Sequence, residues 1–325
     1  MAPSTSFIAL CGLFVHCTLT SAYTLTSSYD HTNWYTSFTW HNEPDPTKGT
    51  VEYISLAEAQ SSGLTKIVNN QIYMSVDNTT VIDASSTSGR KSNWITSNKP
   101  FTHGLLIGDF AHIPGSTCGA WPSFWTINNN LGGEIDILES FSDNTQNFAL
   151  ATLHTQPEHN CTFQAPADTQ IGTPNNDDYD CTLPASGCSV TGPVGSYGDP
   201  FNANKGGVYA MDWTSTYIRI YFFARANIPA DITNGKPDPT KWGLPMANFD
   251  SKYGSCDVGA SFPEQTIYFD TTFCGAEAGT SSGSWATWTD CAKTTGVSTC
   301  EAYVRQQPEK FDTAYWLINS VKVYQ

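Results

Sequence analysis

Positive charge is scarce in this chain, and charge of either sign is sparse. Only 14% of the 325 residues are charged, and 15 Lys and Arg face 30 Asp and Glu, for a formal net charge of -15. Such a balance repels nucleic acid and anionic membranes, so neither is expected as a partner, while a neutral polymer meets no penalty. Long apolar runs are missing beyond the first residues, which excludes a membrane-spanning helix there. C-x-x-C, H-E-x-x-H, P-loop and dinucleotide patterns are all absent, which argues against zinc, redox and nucleotide chemistry. No cofactor or metal is expected, with a structural calcium left open. Long amphipathic helices are lacking as well. The segment Ser55-Leu56-Ala57-Glu58 before Gly63 is the clearest capped short helix.

Aromatic residues are plentiful, at 13%, and turn residues recur at short intervals. In Tyr217 to Arg225, Ile218, Ile220, Phe222 and Ala224 alternate with Tyr217, Arg219, Tyr221, Phe223 and Arg225. That is a strand with one core face. The other face is an aromatic and basic outer surface or a groove wall. Gly206 to Trp213, Thr266 to Phe269 and Tyr315 to Tyr324 read as further strands. Many short strands with turn-rich connections predict an all-β chain, a sandwich of two antiparallel sheets. Residues 156–205 and 276–300 read as long loops.

Residues 1–22 read as a signal peptide, with a short apolar run from Phe7 to Val15 and small residues at Thr20-Ser21-Ala22. A secreted, extracellular protein is expected, with residues 23–325 as one domain, no lipid-anchor tail and a monomeric state. Cys11 and Cys17 leave with the leader. The remaining cysteines, 118, 161, 181, 188, 256, 274, 291 and 300, are even in number, which suggests disulfides. Cys181 with Cys188 could close a small loop. Asn78-Thr79-Thr80 and Asn160-Cys161-Thr162 are glycosylation sequons.

The stretch Gly132-Gly133-Glu134-Ile135-Asp136-Ile137-Leu138-Glu139-Ser140 carries the chemistry. Strand alternation puts Glu134 and Asp136 on one face and Ile135 and Ile137 on the other. Glu139 is one residue out of phase. A β-bulge at Ile137 or Leu138 returns it to the face of Glu134. Crowded carboxyls raise one another's pKa, so one can attack while another holds a proton. The alternative is a solvated acidic edge. Just upstream, Trp121, Ser123 and Trp125 share one face, and indole faces stack on the apolar faces of sugar rings. His154 follows by one hairpin and could donate to a carboxylate, although a structural histidine fits equally. Arg90, in Gly89-Arg90-Lys91-Ser92, is a candidate hydroxyl binder or a surface turn. Gly279-Thr280-Ser281-Ser282-Gly283 matches a serine-hydrolase pattern without the strand and helix it needs, and reads as compositional accident.

The acid stretch resembles the active-site signature of glycoside hydrolase family 16, in the bulged E-x-D-x-x-E form of laminarinases. Trp121-Pro122-Ser123-Phe124-Trp125, the Val208 to Arg225 pair and the Ala314 to Tyr324 segment resemble fungal secreted members, over nearly the whole mature chain. The resemblance implies a β-jelly roll with a β-glucan cleft on its concave sheet. It implies a secreted, endo-acting, retaining hydrolase of 1,3- or mixed 1,3/1,4-β-glucans, with Glu134 as nucleophile, Glu139 as general acid/base and Asp136 modulating both. His154, Trp121, Trp125 and Arg90 are then substrate-binding. The family also contains transglycosylases, and non-catalytic glucan binders typically lose one or both glutamates. Two departures stand out. Relatives often place a tryptophan between the Phe-Trp pair and the acids, where this chain has Thr126 to Leu131. They often place another soon after Phe-Cys-Gly, where this chain reaches Trp285 and Trp288 only later.

Overall fold

The computed structural model describes residues 23–141, 145–175, 178–279 and 284–325. The expected leader, residues 1–22, and positions 280–283 of the serine-like pattern lie outside them. In chain order the first strands are β1 (Leu25–Tyr29), β2 (Phe38–Trp40), β3 (Val51–Tyr53), β4 (Thr65–Val68), β5 (Gln71–Ser75) and β6 (Arg90–Ser92). Next come β7 (Trp94–Ser97), β8 (Gly104–His112), β9 (Ala120–Asn128), β10 (Gly132–Glu139), β11 (Leu150–His154) and β12 (Thr173–Pro174). The last are β13 (Cys188–Thr191), β14 (Gly207–Trp213), β15 (Tyr217–Ala224), β16 (Ala247–Asp250), β17 (Thr266–Phe273) and β18 (Tyr315–Tyr324).

They form a β-sandwich jelly roll of two open antiparallel sheets. One runs β16-β15-β14-β8-β18-β5-β4, with β1 added beside β18; the other runs β12-β13-β11-β10-β9-β17-β7-β2. The main core lies between them. Ile135, Ile137, Phe124 and Phe269 from one sheet meet Phe110, Met211, Ile220 and Trp316 from the other. Phe124 and Phe269 stack with centroids 4.6 Å apart. A second cluster sits around Trp285, Tyr303 and Phe311, beside the Cys118–Cys291 and Cys274–Cys300 disulfides.

The β15 alternation resolves as an outer face. Ile218 and Ile220 enter the core, while Tyr221 and Phe223 pack under Trp242 on the far side of the sheet. Arg219 pairs with Asp250 at 3.0 Å. The short helix is Leu56–Ser61, and the Ser55 side chain accepts from the Glu58 N–H. The 156–205 stretch differs from the expected loop, because it adds β12 and β13 to the edge of the second sheet. Its apolar periodicity is weak because β13 has only four residues and β12 only two. Cysteines do staple it, through Cys181–Cys188 and Cys161–Cys256.

Candidate active site

β9 and β10 form a tight hairpin. Gly132 and Gly133 enter β10 at φ +74° and +78°, where a side chain is strained, and a Cβ on Gly133 would lie 2.3 Å from the Ser261 carbonyl oxygen. Along β10, Glu134 faces His154, Asp136 faces Thr152 and Glu139 faces Leu150 of β11. Three steps on β10 therefore match two on β11, which is a bulge. Against β9 the shift falls between Asp136 and Leu138, paired with Trp125 and Phe124. Ile137 and Leu138 both drop into the core, and Glu139 returns to the face of Glu134 and Asp136.

Cross-strand partners share a face, so the register extends the site sideways. One row runs Glu139, Ser123, Asp270, Trp94 across β10, β9, β17 and β7. The next runs Thr152, Asp136, Trp125, Tyr268, Thr96. The Trp121 indole N–H donates to Glu139 Oε1 at 2.6 Å. That of Trp125 donates to Asp270 Oδ2 at 2.7 Å, and its ring stacks on Tyr268 at 4.5 Å. His154 Nε2 lies 3.5 Å from Asp136 Oδ2. A cavity of about 440 Å³ opens beside part of this face, lined by Glu134, Glu139 and His154 together with Trp121, Phe141, Leu150, Asn175, Leu183 and Ser189.

Four carboxyls on one partly dry face cannot all ionise freely. Loss of water pushes Glu134 up to about 8, helped by Asp136 and opposed by His154. Burial also raises Asp136, with Asp270 adding to it. Glu139 is raised by burial and by Asp136, against the Trp121 N–H and His154. Asp270 lies well above the carboxylate range, again through burial first, against the Trp125 hydrogen bond. The buried Oδ2 of Asp136 has no hydrogen-bond partner among the described residues, so a proton there gives it a donor to offer a neighbouring carboxylate. One ligand atom each from Glu134, Asp136 and His154 lie within 4.8 Å of one another, so these three could gather around a cation; the same closeness lets them share protons. Glu134 and Glu139 stay partly exposed to the cavity while Asp136 is buried. The arrangement thus offers two reachable carboxyls and, beside them, a buried one whose charge adds to the effect of burial on both.

Six of the expected site residues, Trp121, Trp125, Glu134, Asp136, Glu139 and His154, fall on this face. Arg90 does not. It is fully buried in β6, and its guanidinium donates to the carbonyls of Asp77, Thr80, Val304 and Arg305. It ties the chain around the second cluster and presents nothing to the cavity. A fixed fork of donors suits converging carbonyls as well as hydroxyls, and the sequence does not separate the two uses. Asn78 and Asn160 are both exposed. Trp285 is buried and donates to the Val297 carbonyl, away from the acids. The expected 126–131 loop is mostly strand, because Thr126, Ile127 and Asn128 end β9 and only residues 129–131 turn into β10; the turn still reaches the site, because Asn129 Oδ1 accepts from the Tyr268 hydroxyl at 2.7 Å. Asp270 was not among the expected residues. Its signal is a carboxylate two positions from Tyr268 in a strand whose other face, Ile267 and Phe269, is core.

The family description "XgeA-like, catalytic GH16 domain" matches residues 38–324. A probable endo-1,3(4)-beta-glucanase of Aspergillus niger is 42% identical over 287 residues, which cover 86% of this chain and 37% of that protein. The chain therefore spans well under half the length of that relative. A structure described as an elongating GH family 16 beta-1,3-glucosyltransferase matches with a TM-score of 0.85 at 40% identity, covering 94% of this chain and 100% of the other. Laminarinase 16A from Phanerochaete chrysosporium, solved with 6-O-glucosyl-laminaritriose in both donor and acceptor sites, matches with a TM-score of 0.82 at 34% identity, over 94% of this chain and 100% of that one.

Proposed function

The chain belongs to glycoside hydrolase family 16, and on that premise we propose that it is a secreted, endo-acting, retaining hydrolase of 1,3- or mixed 1,3/1,4-β-glucans. The carrying observation is the bulge that sets Glu134, Asp136 and Glu139 on one sheet face beside Trp121 and Trp125. Glu134 attacks C1 of the glucosyl unit as Glu139 passes its proton to the departing glycosidic oxygen and the C1–O bond breaks. A glycosyl-enzyme forms on Glu134. Glu139, now ionised, takes a proton from water, whose oxygen attacks C1 and frees Glu134 with the configuration retained. Asp136, with His154 beside it, keeps Glu134 and Glu139 in opposite protonation states. Trp121 and Trp125 supply ring faces. The four disulfides fit an oxidising, extracellular setting. Residues 1–22 act as the leader, Asn78 and Asn160 carry glycans, and residues 23–325 work as one monomeric catalytic unit.

The test is reducing-end release from laminarin and lichenan by the wild type and by Glu134→Gln. Full activity in the variant refutes the nucleophile assignment. A second reading, transglycosylation, is supported by the glucosyltransferase among the similar structures. A sugar hydroxyl then replaces water in the second step. Mass spectrometry separates the two, since products longer than the substrate require transfer. Laminarin binding without sugar release from any β-glucan would instead point to a non-catalytic binder.

A further inference from the structure

The cavity over the acids runs across the strands, through β9, β10, β11 and β13. The same sheet continues on the other side of the acids through β17, β7 and β2. There the row Glu139, Ser123, Asp270 ends on Trp94. At about 4.8 Å per strand, Trp94 lies three strands, or about 14 Å, from Glu139 on the same face.

Trp94 is not a core residue. It joins none of the apolar clusters of the described residues and stays partly exposed. It is nonetheless held in place. The His41 ring packs on it with centroids 4.5 Å apart, and Tyr53 packs at 5.3 Å. The backbone of His41 is tied to the Trp94 carbonyl at 2.9 Å, and the His41 Nε2 to the Thr96 hydroxyl at 2.7 Å. The indoles of Trp121 and Trp125 spend their N–H groups on Glu139 and Asp270. That of Trp94 has no hydrogen-bond partner among the described residues and is free to donate to a hydroxyl. A fixed, partly exposed aromatic ring with a spare donor suits a pyranose, which has an apolar face and a rim of acceptors.

We propose that Trp94, braced by His41 and Tyr53, forms a distal subsite that binds a glucosyl unit of the substrate chain beyond those held at the acids. The proposal rests on the β-glucanase reading and makes the cleft selective for longer chains. Strong geometric support comes from the bracing: a ring already ordered before binding loses little entropy when a sugar stacks on it.

The test compares kcat/KM on laminariheptaose and laminaritetraose for the wild type, Trp94→Ala and Trp94→Phe. Dividing one value by the other for the same preparation removes the fraction of misfolded protein. The heptaose-to-tetraose ratio is expected to fall roughly fivefold to tenfold in Trp94→Ala, the loss of one stacking contact, and to recover at least in part in Trp94→Phe. An unchanged ratio in Trp94→Ala, or no recovery in Trp94→Phe, overturns the subsite. If the wild type cleaves neither oligosaccharide, the hydrolase reading fails, and calorimetric titration of the same two oligosaccharides decides the subsite alone. Tighter heptaose binding that Trp94→Ala abolishes then supports it, and equal binding refutes it.

Discussion

The hydrogen bond from Trp121 to Glu139 gives a direct handle on the proposed general acid. Trp121→Phe keeps a ring for stacking and removes the indole N–H that donates to Glu139 Oε1 at 2.6 Å. A hydrogen bond to a charged acceptor contributes about 1.5–3 kcal/mol, and one to a neutral acceptor about 0.5–1.5 kcal/mol. The ionised form of Glu139 therefore loses about 1–1.5 kcal/mol more than the protonated form. At about 1.36 kcal/mol per pH unit, Glu139 rises by roughly one unit above its already raised position. A general acid works only while it holds its proton, so the alkaline limb of kcat/KM on laminarin should move up by roughly that amount. The limb belongs to a coupled set of carboxyls, which spreads the shift over several groups but keeps its sign. The assay is initial reducing-end release against pH, with circular dichroism to show that the variant is folded. Weaker stacking changes the height of the profile, not the position of its limb. A limb that stays in place or moves down refutes both the role of Glu139 as acid and the purpose assigned to the Trp121 hydrogen bond.

Glu134 in the folded chain sits at about 8, against an ordinary 4.5; its burial therefore costs nothing below about 4.5 and costs progressively more as pH rises toward 8. Wild-type melting temperature should fall over that window, and Glu134→Gln should flatten the fall; parallel curves would count against the buried acid cluster. Arg90→Gln strands four backbone carbonyls and should lower stability by at least about 3 kcal/mol, measured by urea unfolding, while kcat per folded molecule stays at the wild-type value. Removing Cys181–Cys188, a separation of 7 residues, should cost about 2.4 kcal/mol by loop entropy, and Cys118–Cys291, a separation of 173, about 5 kcal/mol. Only the first should raise KM for laminarin, because Leu183 and Ser189 wall the cavity.

What could be read from the residues depended on whether their meaning was local. The bulge was legible because Glu139 is out of phase with Glu134 and Asp136 while Ile135 and Ile137 are apolar, and alternation is a property of one strand. The Trp121 and Trp125 pair was legible for the same reason. Arg90 was misplaced because its partners, the Val304 and Arg305 carbonyls, lie more than two hundred positions along the chain. Asp270 and Trp94 were missed because their role exists only in the register that sets β17 and β7 beside β9. The loop over residues 156–205 hid β13 because a strand of four residues, paired on its outer side by one of only two, is too short for alternation to show.

The irregularity in β10 joins stability to chemistry. Had the strand run without it, Glu139 would alternate onto the side of Ile135 and Ile137, between the sheets, where an unpaired charge is expensive. With it, Ile137 and Leu138 enter the core in succession and fill the space beside Phe124. The packing that places Leu138 is therefore the packing that presents Glu139. Neither can be changed alone, since a residue removed at 137 or 138 would send Glu139 inward and break the row to Asp270 and Trp94. The row matters because it sets how the carboxyls feel one another. Asp270 raises Asp136, and Asp136 raises Glu134 and Glu139. A single bulge thus decides which acids share a face, and the shared face adds their mutual repulsion to the burial that already raises each of them.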